Sequence, residues 1–249
     1  MSDIFLRRRR PVVFYLFVIA LGLVTYVVVG LVVQTALMPK RPSDHRVPAA
    51  APIPGWVVGI HQDGSLVRFG EHPPPLQLLP GSRMVHEVSV GYPHSMLGAV
   101  SAAVEYWGQI ASTLDAARAA QVGTVIADPV WKTAATKLSE GPINTRRRLG
   151  LPTNGPVPDD ASVLLTPVSY QIRQIAPDSV TVILLGYYQI TLPGQDPQNR
   201  IGVFPLQMRW VAGDWKMPSP TLSADYSGLQ ALPGSDEAAV FGWLPLASR

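Results

Sequence analysis

Between Val12 and Leu37 the chain runs for 26 residues without a charged side chain, and Gln34 is the most polar member. Few structures accommodate such a segment. As a helix it would extend about 39 Å at 1.5 Å per residue, enough to cross a hydrocarbon core about 30 Å thick with some tilt. A secretory signal peptide is the competing reading, because a basic start precedes the run. Signal peptides carry an apolar region of only about 7–15 residues and small residues at the cleavage site. Here Ala36-Leu37-Met38-Pro39 is a poor site, and Ala49-Ala50-Ala51 lies too far downstream. The sequence therefore predicts an uncleaved transmembrane signal-anchor helix over 12–38. Arg7–Arg10 form a denser and closer cluster than Lys40, Arg41 and Arg46. The positive-inside rule then keeps 1–11 in the cytoplasm as a basic tail and puts the C-terminal bulk outside the cell membrane, as a single-pass protein.

Charge narrows the partners. Of the formal net charge of +3, Arg7–Arg10 against Asp3 supply all of it, and the other 16 basic and 16 acidic residues cancel. No basic excess remains to meet phosphates, so nucleic acid is not an expected partner. Arg146-Arg147-Arg148 reads as a solvated loop, with a small phosphate or partner patch as the alternative. The chain has no cysteine, which excludes disulfides, thiolate metal sites and cysteine nucleophiles. His45, His61, His72, His86 and His94 show no zinc-binding spacing, and there is no glycine-rich phosphate loop. Ser65 and Ser95 lack the G-x-S-x-G setting of a nucleophile elbow. Asp159 and Asp160 are adjacent and would point to opposite sides of an extended stretch. No catalytic residue, metal or cofactor is expected.

Beyond the apolar run, 39–55 is a Pro/Ala-rich linker that should be extended. Trp56–Ile60 and Ser65–Phe69 flank His61-Gln62-Asp63-Gly64 and predict a β-hairpin, an appendage spanning 56–87 and broken off by Pro73-Pro74-Pro75. The organising stretch is Gly91–Trp107. Pro93 pushes Tyr92 towards an extended conformation, and Ser95 is placed to cap a helix. Leu97, Val100, Val104 and Trp107 then form one apolar stripe. Further helices are expected over Leu114–Val122 and after Asp128, with Asp128 as cap, Pro129 at the first helical position, and Gly141-Pro142 as the stop. Asn144–Pro158 reads as a long loop. From Ser162 the period changes to two: Ser162–Ala176, Asp178–Leu192 and Arg200–Val211 are strands of an antiparallel meander. Such a sheet has one face to cover, and the earlier helices are available for it. The expected α+β, cone-like domain spans 88–220. A C-terminal extension, 221–249, carries Phe241-Gly242-Trp243-Leu244, which can fold apolar side chains back.

Three helices followed by a meander is the order of the nuclear-transport-factor-2-like fold, helices on a curved four-stranded antiparallel sheet. Met208-Arg209-Trp210-Val211-Ala212-Gly213-Asp214-Trp215-Lys216 resembles the W-x-x-G-D-W-[KR] hairpin on the last strands of that fold. In such a hairpin Gly213 and Asp214 would supply the turn, and Trp210 and Trp215 the cross-strand area. With a short tail and one span, the layout is similar to the inner-membrane assembly factors of type IV secretion and conjugation channels. The Gly91–Val104 run is similar to uncharacterised actinobacterial single-pass membrane proteins.

The resemblance implies a membrane-anchored extracytoplasmic scaffold or interaction protein of a conjugation or secretion apparatus. Its partners would be other membrane-complex proteins or a second copy of the chain, and Tyr92, Pro93, His94 and Ser95 are the candidate interaction residues. The alternative is a small-ligand-binding module that uses the cavity between helices and sheet. An enzyme with His94 as base, paired with Glu105 or Asp225, is a third reading.

Overall fold

The period-two segments form the centre of the fold. The computed structural model describes residues 57–70, 73–220 and 224–248. Within them, β5 (Ser162–Ala176), β6 (Ser179–Thr191) and β7 (Gln198–Val211) are long antiparallel strands joined by short turns. β8 (Asp214–Lys216) pairs with the end of β7, and β9 (Leu244–Pro245) pairs with β5, giving the order β8-β7-β6-β5-β9. Two small hairpins stand apart from this sheet: β1 (Val57–Ile60) with β2 (Leu66–Phe69), and β3 (Arg83–Val85) with β4 (Val88–Val90).

Three helices precede the long strands. α1 (Met96–Ala111) is capped by Ser95, whose hydroxyl accepts the Gly98 N–H at 3.0 Å. α2 (Ala116–Ile126) is capped in the same way by Asp115, and α3 (Ala134–Arg148) follows. Gly98 is required at its place because a Cβ there would stand 2.1 Å from the Pro93 carbonyl oxygen. A short helix, α4 (Asp236–Val240), lies between β8 and β9.

The expected fold class needs correction. The described residues combine helices with antiparallel sheets, but none of their helices is long and apolar enough to cross a membrane. The longest, α1, has 16 residues, about 24 Å at 1.5 Å per residue, short of a core about 30 Å thick. The segment 12–38 lies outside the described residues. The sheet also has five strands rather than four, because β9 comes from the C-terminal extension.

β6 explains why both faces of the sheet are covered. Val180-Thr181-Val182-Ile183-Leu184-Leu185 is a continuous buried run, the mark of a strand covered on both sides. Val180, Val182 and Leu184 join Tyr170, Ile172, Met208 and α1 in the main core. Ile183 and Leu185 face the other way and meet Tyr226, Leu229, Ala238 and Trp243. The Trp243 indole donates to the Leu229 carbonyl at 2.8 Å, fixing this second layer. The β1–β2 hairpin contributes Ile60 to the main core, and the Ile60 N–H donates to the Tyr170 hydroxyl at 3.3 Å.

Two local readings change in the middle of the chain. Asp128 does not cap a helix: it makes a turn by accepting the Val130 N–H, and its other oxygen meets Arg209 at 3.2 Å. Gly141-Pro142 does not stop α3. The helix continues to Arg148, and the turn after Pro142 is held by Arg146, which is buried. Its guanidinium donates to the carbonyls of Pro152, Asn154, Gly155 and Pro156. The arginine run is therefore part of a helix, and its first member is the peg around which the following loop is wrapped.

Burial pushes the Tyr170 phenol from its ordinary 10.0 up to about 12, against the smaller opposing effect of the Ile60 N–H. Tyr106 moves in the same direction, first through burial and then through the charge of Asp214. A raised pKa means full stability below pH 10 and a loss as pH rises towards the folded-state value. Tyr170 alone should contribute roughly 2–3 kcal/mol to that loss between pH about 10 and 12. Urea unfolding of wild type and Tyr170→Phe across this range should give a shallower decline for the variant.

Candidate functional site

Tyr92–Ser95 and Trp210–Trp215 are far apart in the chain and meet in the fold. Gly91, at φ +77, turns the backbone so that its N–H donates to Asp214 Oδ2 at 3.0 Å. The Tyr92 and Trp215 N–H groups donate to Oδ1 at 3.2 and 2.9 Å. Lys216 Nζ lies 3.2 Å from Oδ2 and also donates to the Val125 carbonyl at 2.9 Å. Asp214 is 1% exposed. A carboxylate so deeply buried is retained because each oxygen is matched by donors and a cation.

Trp215 completes the junction. Its indole N–H donates to the Pro93 carbonyl at 3.0 Å, and its own carbonyl accepts the Tyr106 hydroxyl at 2.8 Å. The turn expected at Gly213 and Asp214 sits one residue earlier. Ala212 and Gly213, at φ 54 and 78, are its two central residues, and Asp214 is released to begin β8. A two-residue turn with positive φ at both positions matches the twist of a hairpin.

His94 stands at the surface of this junction. Its ring stacks on Trp210, with centroids 4.4 Å apart and 10° between planes. Nε2 is 2.9 Å from Asp178 Oδ1 and 3.2 Å from the Pro177 carbonyl. The structure thus pairs His94 with Asp178 of the β5–β6 turn rather than with Glu105 or Asp225. Glu105 instead accepts from the Ser89 N–H and the Gln109 amide. Ser95 is occupied as the cap of α1. Tyr92, Pro93 and Ser95 therefore build the junction, while His94 and Trp210 form its partly exposed side.

Two features of β7 were not legible in the sequence. The first is an open edge. β8 pairs only with Arg209–Val211, so among the described residues Gln198–Met208 has a strand partner on the β6 side alone. The Trp210 N–H donates towards Asp178 on the β6 side, so by alternation Asn199, Ile201 and Val203 turn their main-chain groups to the open side. Pro205 falls in the same set, at the place where a missing N–H disturbs no ladder.

The second is a cleft of about 410 Å³ between α1, α3 and the β6–β7 face. Trp107, Ile110, Ile190 and Phe204 supply apolar walls, and Arg148 and Arg200 are the charged residues that line it. Trp107 and Phe204 meet edge to face at 5.5 Å. Burial raises the Tyr188 pKa, and a hydrogen bond with Thr145 opposes the shift. The Trp107 indole nitrogen is buried and has no hydrogen-bond partner in the described structure. A donor left in that condition costs about 1–3 kcal/mol. Among the described residues no group of three or more His, Asp or Glu side chains is placed to hold a metal ion.

A family model described as a domain of unknown function, DUF8175, matches residues 80–238. That span includes the junction, the open edge and the cleft. No curated protein and no solved structure matches the chain.

Removing the charge at the junction tests its weight. Asp214→Asn keeps the size of the side chain but leaves Lys216 without its buried counter-ion and sets an amide against backbone donors. Chemical unfolding should show a loss of about 3–5 kcal/mol. A loss similar to that of an exposed surface change would mean that Asp214 does not hold the two segments together.

Proposed function

This chain belongs to the DUF8175 family, and we propose from that premise that it is an interaction module rather than a catalyst. Its binding surface would be the open edge of β7. The supporting observation is the one-sided pairing of Gln198–Met208, where main-chain donors and acceptors stand ready for an added strand from another protein or from a second copy. The His94–Trp210 stack adjoins the closed end of the same strand and would extend the contact. A place in a conjugation or secretion apparatus is supported by the sequence resemblance alone and belongs to the same proposal. So does membrane location, which is supported by the uncharged run of 12–37 and lies outside the described residues.

A second reading, a module that binds a small ligand, is favoured by the cleft. Its volume falls within the range of about 300–1,000 Å³ usual for small-molecule sites, and its walls are largely apolar.

The edge reading is tested with a photo-reactive residue at the exposed Asn199 in the full chain in its native membranes. A discrete protein adduct is expected, and Ile201→Pro, which removes an edge-facing donor, should abolish it while the thermal midpoint shows that the variant stays folded. An adduct equally strong in the variant overturns strand addition. Membrane location is tested by alkaline washing of the membranes: retention of the full chain is expected, and quantitative release would reject it.

A further inference from the structure

We propose that the cleft between α1, α3 and strands β6 and β7 binds a single-chain anionic amphiphile. The hydrocarbon chain would lie against Trp107, Ile110, Ile190 and Phe204, and the anionic head between Arg148 and Arg200. The inference rests on the ligand-binding reading of the cleft and adds the chemical class of the ligand.

The lining is divided by chemistry. Its walls are aromatic and aliphatic, while its ionised groups are two arginines, with no carboxylate among the lining residues to neutralise them. Both arginines are exposed. The Arg148 side chain makes no hydrogen bond or ion pair with any described residue, whereas those of its neighbours in sequence are engaged: Arg146 with loop carbonyls and Arg147 with Asn144. Among the described residues the Arg200 side chain has only a 3.4 Å contact to Gln198. Two guanidinium groups at an apolar cleft suit a carboxylate, phosphate or sulfate head, since guanidinium donors match the oxygens of such anions. A neutral amphiphile would gain from the walls and nothing from the arginines.

The test uses the full chain in discs of zwitterionic phosphatidylcholine, with empty discs subtracted. Labelled dodecanoate is added below its micelle concentration, and dodecyl phosphate and dodecanol are run in parallel. Saturable binding of both anions is expected, with dodecanol markedly weaker. Arg148→Gln combined with Arg200→Gln should weaken dodecanoate at least about tenfold, the loss of charge-assisted hydrogen bonds. Both positions are exposed, so these variants should keep the wild-type thermal midpoint. Ile110→Trp, which fills the cleft, should remove binding of every probe.

If no probe binds saturably, the ligand-binding reading itself fails. If dodecanol binds as well as dodecanoate and the arginine changes have no effect, the cleft holds a ligand but the proposed class is wrong. Displacement of dodecanoate by phosphatidylglycerol included in the discs would assign the site to a bilayer lipid and overturn the single-chain form.

Discussion

The carboxylate of Asp214 is the contact on which the arrangement of helices and sheet depends. One buried side chain accepts from Gly91, Tyr92 and Trp215 and meets Lys216, tying the backbone ahead of the first helix to the last hairpin over a separation of up to 123 residues. Trp215 adds a bond back to Pro93 and receives one from Tyr106, so the same two residues of β8 also fix the register of α1 against the sheet. The bonds to Gly91, Tyr92, Pro93 and Tyr106 do not form locally, and each needs the helices and the strands to be in place. Closing such distant contacts is costly in chain entropy before they are rewarded. The junction therefore belongs to the cooperative part of the fold and not to its early local structure.

β6 sets the second constraint. A strand whose successive residues are all buried from Val180 to Leu185 cannot sit on a sheet with one wet face, and the chain supplies a second cover from its C-terminal extension. That extension does two tasks at once. Tyr226, Leu229 and Trp243 cover Ile183 and Leu185, and Leu244-Pro245 then pairs with Ser169 and Tyr170 at the far side of the sheet. The two sheet edges are treated differently as a result. β9 continues into a main-chain bond from Leu246 to Val168, while among the described residues most of β7 has no strand partner on its outer side.

Much of the architecture was written in local pattern. The Ser95 cap, the α1 stripe and the three long strands follow from spacing alone, because cap chemistry and period are short-range properties. The junction was half legible: both of its segments stood out, but nothing local says that Asp214 serves as a buried acceptor for Gly91 rather than as a turn residue. Pro142 misled because proline usually ends a helix, whereas here the carbonyl cage around Arg146 holds the next turn. The double cover of β6 was readable from Val180–Leu185 in principle. The cleft and the open edge of β7 were not, since both arise from what fails to reach a strand. The membrane-helix part of the expected fold class rested on residues outside the described structure, and the described helices do not supply it.

The caging of Arg146 has a consequence for how the chain meets proteases. Three consecutive arginines are an inviting tryptic site in an unfolded chain. Here they lie in the last turn of a helix, where the backbone cannot extend into a protease cleft, and the first of them has its guanidinium buried among loop carbonyls. Cleavage must wait for that end of α3 to open. The rate at which trypsin cuts there is thus a clock for one local event, the release of the 152–156 loop from its peg, read separately from unfolding of the whole sheet.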